Sequence, residues 1–496
     1  MIKSERATFI EGHSLWSDEQ KRLAAEVMRR IETEKLRFVR LAWGDTHGYS
    51  RAKTLTIPAF VSALTNGYNI GVATTTLDSA GARVFASFTR GGGMGLAEMT
   101  GSPNLTIVAD PSTFRVLPWA AGVGWILGDE YFNDGRPFYF SPRQLLRKAL
   151  RRLVEHGYTS IIGPEIEWYL LRVVEPHLSE DSVGSPGLRG RPIKIAPVEP
   201  GYHYHSESNM DLMHEVFDAL GSAFEALGLG LRSMENEWGP GQVECTFAPC
   251  SALEAADNVL LFRTATRQIC RRLGYFATFM CRPALKGFYS SGWHLHQSLI
   301  DTATGDNLFM PRKTGEVLSQ LGQSYLAGLL QYAAPATVFA TPTVNGYRRF
   351  RPNSLAPDRA TWAHDHRGSM IRVLGGADDP ATRLENRVGE PAANPYLYIL
   401  AQIVTGLAGI ETNAALPPSS DEPYAADRPL LPKSLPEALD ALDAEPLFRR
   451  ALGDIFVDYF VKLKRTEAGR YQSSLQATSP SDEPSEWEQN EYFDFF

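Results

Sequence analysis

Cysteine is scarce. The 496-residue chain has four (Cys245, Cys250, Cys270 and Cys281), and none of their spacings builds a metal knuckle. So low a count excludes a disulfide-stapled scaffold and suits a reducing cytosol. Long apolar runs are missing too. The longest, Pro395–Ile410, is interrupted by Gln402, Thr405, Gly406 and Gly409. It falls short of the ~20 residues a membrane span needs and reads instead as a buried helix. The opening residues Met1–Arg6 carry no apolar leader. Positive charge is not in excess: 49 basic against 57 acidic residues leave −8, which argues against a general nucleic-acid or membrane-surface binder. The glycine-rich Arg90–Gly95 lacks the spacing and the strand-then-helix context of a dinucleotide loop, and no internal repeat is visible. These exclusions leave a soluble, cytoplasmic chain, large enough for more than one domain.

What is present is an alternation. In the strand-like stretch Gly163–Leu171, Glu165, Glu167 and Tyr169 share one face, and Ile166, Trp168 and Leu170 share the other. One face suits a core. The other presents two carboxylates that repel unless something positive sits between them. Gly292–Leu299 repeats the design, with His294, His296 and Ser298 opposite Trp293, Leu295 and Leu299. Thr382–Val388 repeats it again, with Arg383, Glu385 and Arg387 on the polar face. Between them, Pro240-Gly241 is a turn that could bring Glu237 and Glu244 towards each other. Together the four segments read as one cleft for divalent metals and phosphates.

Around this cleft the chain alternates irregularly between helix and strand, which favours an α+β fold. Helical spacing predicts helices over 18–36, from Pro142 to Gly157, and over 211–227, 252–273 and 316–332. Strands are expected at 38–43, 104–108 and 113–117, with the end of a small N-terminal domain at residue 117 and a second domain over 118–496. From Ser473 the acidic tail is expected to be poorly ordered except around its aromatic residues.

Five glutamates and one histidine make two sets of three. Carboxylate oxygens suit Mg²⁺ or Mn²⁺, and an imidazole in one set is better tolerated by Mn²⁺. Paired divalent ions serve phosphoryl transfer by neutralising charge as it develops. Arg348, Arg349, Arg351, Arg367, Arg372, Arg383 and Arg387 crowd into forty residues. Their guanidinium forks fit phosphates and carboxylates, the plainer reading being salt bridges to the excess acid.

In order, these segments resemble the glutamine synthetase superfamily. The matches are Gly163–Glu167, Glu237–Glu244, Ser291–His296, Asn345–Arg349, Arg367 with Arg372, and Arg383–Arg387 followed by Asn394–Leu397. The resemblance implies an N-terminal β-grasp domain and a catalytic domain built on a curved antiparallel half-barrel sheet. It also implies a double-ring homo-oligomer, commonly a dodecamer, with sites shared between subunits. It assigns Glu167, Glu237 and Glu244 to a first metal and Glu165, His294 and Glu385 to a second, so two or more ions per site. Arg349, Arg387 and Glu237 are implied at the glutamate. His296, Ser298, Arg367, Arg372 and Arg383 are implied at ATP, and Arg367, Asp45 and Arg349 in catalysis. The implied chemistry is phosphorylation of the γ-carboxylate of L-glutamate by ATP, then attack by an amine.

One departure matters. Where glutamine synthetases place a loop glutamate before Ala-Pro, to trap and deprotonate ammonium, this chain has Leu355 before Ala356-Pro357. An apolar side chain cannot take that proton. With Asp45 retained, Leu355 marks an amine site for an uncharged organic amine, an arylamine such as aniline or a short alkylamine, in the γ-glutamylamide branch of the family. A polyamine's extra cations would want acidic partners. Ammonia-using glutamine synthetase, γ-glutamylpolyamine synthetase and a non-catalytic ring-forming relative are the alternatives. Tyr424, near a tyrosine that some bacterial relatives adenylylate, is a minor candidate for modification.

Overall fold

A computed structural model describes residues 7–475 and 482–496; the reading of Met1–Arg6 as free of an apolar leader concerns residues outside these. Its strands are β1 (Phe38–Gly44), β2 (Ser50–Thr56), β3 (Tyr68–Gly71), β4 (Asn104–Ala109), β5 (Arg115–Val116) and β6 (Val123–Tyr131). They continue with β7 (Tyr158–Val173), β8 (Ile195–Pro197), β9 (Leu231–Asn236), β10 (Gln242–Phe247), β11 (Cys250–Ser251) and β12 (Tyr275–Thr278). Last come β13 (Trp293–Asp301), β14 (Trp362–His364), β15 (Ile371–Leu374) and β16 (Arg383–Gly389).

The longest strand, β7, positions everything else. Ile166, Trp168 and Leu170 have no exposed surface, so their apolar area holds that face down. β7 pairs antiparallel with β13 and with β10, inside a ten-stranded curled half-barrel sheet ordered β14-β15-β16-β13-β7-β10-β9. The helix Pro395–Glu411 is buried along nearly its whole length. Asn394 caps it, its side chain accepting from the Tyr396 and Leu397 amides, with proline in the first turn. No helix among the described residues is long and apolar enough to cross a membrane.

The other compact unit comprises residues 1–77, 85–145 and 222–228. Its six-stranded sheet runs β2-β1-β6-β4-β3, with β1 and β6 parallel. The expected boundary at residue 117 therefore falls inside this sheet, because β6 returns to pair with β1. Only Arg115–Val116 of the expected strand 113–117 is extended.

Two helices also differ. The helix expected over 211–227 breaks at Met213 into Glu207–Leu212 and His214–Leu227. The helix expected from 316 starts at Gln320, where the Ser319 hydroxyl accepts from the Gly322 amide. The tail is ordered around its aromatic residues, as its composition implies. Glu486–Tyr492 is helical, and Tyr492, Phe493, Phe495 and Phe496 are buried. Residues 476–481 lie outside the described chain.

In the N-terminal unit, Arg143 is buried between Asp110 and Asp129 at 2.8 and 2.9 Å. Burial pushes the neighbouring Glu130 carboxyl from 4.5 up to about 8, with Asp45 and Asp129 adding to the rise against a Ser141 hydrogen bond. The unfolded chain loses this proton near pH 4.5 and the folded one near 8. Stability is therefore fully present below 4.5 and falls as pH rises to about 8. Glu130→Gln is expected to remove roughly 2–5 kcal/mol of that decline. Thermal melts from pH 5 to 9 check this, and identical slopes for both proteins would rule it out.

Candidate active site

Register brings the site together. β13 lies against β7 so that His294 faces Glu165, and β16 lies against β13 so that Glu385 faces His296. His294 Nδ1 stands 2.6 Å from Glu165 Oε1 and 3.7 Å from Glu385 Oε1. His296 Nε2 stands 3.2 Å from the other Glu165 oxygen. On the opposite side, the Pro-Gly turn does form a hairpin. Glu244 sits across from Glu235, however, rather than from Glu237.

The carboxylates gather into groups that differ from the expected pair of triads. Ligand atoms of Glu165, Glu244 and His294 lie within 4.8 Å of one another, and so do those of Glu165, His296 and Glu385. Glu165 thus belongs to both groups, and His296, expected only beside the nucleotide, joins one. Glu167 instead accepts hydrogen bonds from the Gly292 amide at 2.8 Å and the Gln242 amide group at 3.2 Å. Glu237 accepts from the Trp238 amide at 3.0 Å. Two strands separated by a hundred residues or more can align in either of two registers that keep the same face inward, and alternation does not tell them apart.

The electrostatics suit a cation. Burial, reinforced by Glu167, pushes Glu237 up to about 8. Burial and the repulsion of Glu165, Glu167 and Glu237 push Glu244 to about 11. Burial also raises Glu167. Glu165 goes the other way: burial opposes its charge, but hydrogen bonds from His294 and His296 outweigh burial and hold it low. Glu385 is likewise held at about 2, with burial overcome by Arg387, His294 and His296. This oxygen-rich set with one or two imidazoles fits hard divalent cations, which would discharge the crowding. When bound, such ions supply Lewis-acid charge neutralisation to phosphate oxygens.

Arginines flank the acids in two ways. Arg387 donates to Glu385 and, at 3.2 Å, to the Leu355 carbonyl. Arg372 bonds Glu385 at 3.0 Å and is also held by Asp365. Arg349 is buried and donates to the Val388 and Gly389 carbonyls at 2.9 and 2.8 Å. A side chain at 292 would meet the Arg349 guanidinium, which would have to shift to admit it. Arg348 follows the plainer reading, in a bidentate pair with Glu488. Arg367 is exposed in the turn after β14.

Arg383 donates to His296 Nδ1 at 3.1 Å and lines a cavity of about 640 Å³ with Glu165, His296, Ser298, Arg232 and Glu235. The last two were not anticipated. Glu235 shares the alternation of Glu237, so the same period-2 pattern marks it. Asp45 belongs to the other compact unit, where its buried carboxylate accepts from the His47 and Tyr49 amides and from Arg51 at 2.7 Å. The Tyr424 hydroxyl is engaged, donating to the Ala356 carbonyl at 3.0 Å.

Comparison with known proteins agrees with this geometry. Residues 140–483 match the family described as "Glutamine synthetase, catalytic domain". A γ-glutamylanilide synthase from Acinetobacter sp is 44% identical over 99% of this chain and 99% of its own length. A γ-glutamylethanolamide synthetase from Streptomyces coelicolor is 31% identical over 74% of this chain and 76% of its own. A solved structure described as apo GmaS without ligand superposes with a TM-score of 0.73 at 28% identity, over 93% and 97% of the two chains. The protein belongs to the glutamine synthetase family, whose members are ATP-dependent carbon–nitrogen ligases that use divalent metals.

Proposed function

We propose that the enzyme joins the γ-carboxylate of glutamate to an aryl or short alkyl amine, with ATP as the source of activation. The γ-phosphoryl group passes to a γ-carboxylate oxygen and ADP leaves. The amine nitrogen then attacks the acyl carbon, phosphate departs, and the nitrogen loses a proton. A carboxylate is a poor acylating agent until its oxygen becomes a phosphate leaving group.

In this reading Glu165, Glu167, Glu237, Glu244, His294 and Glu385 hold two or more Mg²⁺ or Mn²⁺ ions, with His296 shared between this set and the nucleotide. Arg349, Arg387 and Glu237 orient glutamate. His296, Ser298, Arg372 and Arg383 receive the nucleotide phosphates, and the exposed Arg367 is free to meet the transferring group. The proposed assembly is a cytoplasmic double ring with sites at subunit interfaces, to which Asp45 of a neighbour contributes. Its mass in solution checks that part.

One observation carries the choice of amine. The Leu355 side chain is 64% exposed, and its backbone carbonyl is gripped by the same Arg387 that holds Glu385. An apolar group at that place has nothing to offer an ammonium ion, while a neutral aniline needs no deprotonating trap before it binds. ADP release with glutamate and a panel of ammonia, methylamine, ethanolamine, anilines and putrescine tests this. Aniline is expected to exceed ammonia in kcat/KM by about a hundredfold or more, near 3 kcal/mol of discrimination. A clear preference for ammonia overturns the reading.

A further inference from the structure

Resting on the arylamine reading, the geometry points to an aromatic wall that seats the ring of the amine. The wall is built from Trp238 with Tyr202 on one side and Tyr289 with Leu355 on the other.

Its first half starts at the acid cluster itself. Trp238 directly follows Glu237 and leaves 44% of its surface exposed. Tyr202 packs edge-on against it, with ring centroids 5.4 Å apart and planes at 80°, and is 39% exposed. Both rings thus present apolar surface to solvent directly beside the acid cluster. The pair is held firmly. The Tyr202 amide donates to the Trp238 carbonyl at 2.9 Å, and the Tyr202 hydroxyl donates to the Gly287 carbonyl.

The second half is tied to the first through the segment 287–289. Two residues beyond Gly287, at most about 7 Å of chain, the Tyr289 carbonyl accepts from the Tyr169 hydroxyl. The Tyr289 hydroxyl in turn reaches the Ser354 carbonyl at 3.5 Å. Three successive carbonyls are then pinned from three directions: Ser354 by Tyr289, Leu355 by Arg387 and Ala356 by Tyr424.

Leu355 itself sits at φ +61°, and Tyr202 at φ +65°. Left-handed backbone at a residue with a side chain is strained by roughly 1 kcal/mol or more, and it persists only where the surroundings over-determine it. Here the surroundings do so, and the result is an apolar side chain held out of the protein beside Arg387. A flat, uncharged ring fits between two such faces, by stacking and by loss of water. A cation gains nothing from Leu355. Tyr424 and the Tyr289 hydroxyl therefore position the loop, and Trp238, Tyr202, Leu355 and the Tyr289 ring set specificity.

The test compares KM values for aniline, methylamine, glutamate and ATP in Tyr202→Ala, Leu355→Ala and Tyr289→Phe. The first two are expected to raise the aniline KM about tenfold or more, with glutamate and ATP KM values within about threefold of wild type. The ratio of aniline to methylamine kcat/KM falls with them. Tyr289→Phe keeps the ring but frees the Ser354 carbonyl, and is expected to raise the aniline KM by a smaller factor. Circular dichroism and melting temperature show whether each variant folds. Where a variant does not, Tyr202→Leu and Leu355→Asn replace it, asparagine being at ease in the left-handed region. A wild-type enzyme that uses aniline while all the folded variants keep its aniline-to-methylamine ratio overturns the wall but leaves the arylamine reading intact. A wild-type enzyme indifferent to aniline removes that reading first.

Discussion

Replacing Glu165 by glutamine is expected to lower ADP release with glutamate and amine by at least about a thousandfold, near 4 kcal/mol of transition-state stabilisation. The reason is its double membership. One carboxylate oxygen lies against His294 and the other against His296, and each imidazole belongs to a separate cluster of potential ligands. A substitution at Glu244 or Glu385 removes a donor from one cluster; a substitution at Glu165 removes one from both. Mn²⁺ titration followed by electron paramagnetic resonance should therefore show every class of bound ion weakened in Glu165→Gln. In Glu385→Gln one class should be weakened more than the other. The folded state should survive, because removing this charge relieves repulsion on Glu244. Near-normal turnover in a stably folded Glu165→Gln protein would dismantle the proposed centre.

The second large effect lies away from any substrate. Glu488→Ala is expected to cost about 3–5 kcal/mol, since it removes the carboxylate that takes both charged bonds of the partly buried Arg348. Glu488 has no exposed surface. Its carboxylate accepts both Arg348 bonds at 2.7 Å and the Asn345 side-chain amide at 3.0 Å. These residues form the turn Asn345–Arg349, whose last residue is the buried arginine proposed to clamp glutamate. Melting temperature should fall by roughly 5 °C or more. The KM for glutamate should rise about tenfold while that for ATP stays put. The double substitution Glu488→Met with Arg348→Met should be less damaging than Glu488→Ala, as an apolar pair leaves no buried charge behind. An unchanged melting temperature in Glu488→Ala would show that the pair contributes nothing.

Much of the site was legible from period-2 patterning, because β7, β13 and β16 each bury one face and leave the other to carry acids, imidazoles and arginines. What alternation could not supply was register. Whether His294 or His296 faces Glu165 depends on pairing between strands about 130 residues apart, and both histidines prove to reach it. The extent of the N-terminal unit is hidden in the sequence for a related reason. The parallel pairing of β6 with β1 joins segments some eighty residues apart, and a parallel partner leaves no turn between the strands to read. The proposed aromatic wall is not marked by any spacing, because its members come from four separate loops. The order of the tail around its aromatic residues was legible, but the burial of its acids was not. Glu488 and Glu491 are buried against Arg348 and Arg470. Two features needed coordinates altogether: the left-handed backbone at Leu355 and the engagement of the Tyr424 hydroxyl.

The clasp between the Glu486–Tyr492 helix and the turn that carries Arg349 also bears on the order in which the molecule assembles. Glu488 meets Arg348 across 140 positions, and Gln489 holds the Ala284 amide across 205. Loops of that length are among the last to close. During refolding, secondary structure should therefore return before affinity for glutamate does, with a lag that Glu488→Ala lengthens. A nascent chain could bring its carboxylate strands together before the residues that clasp the Arg349 turn have been made.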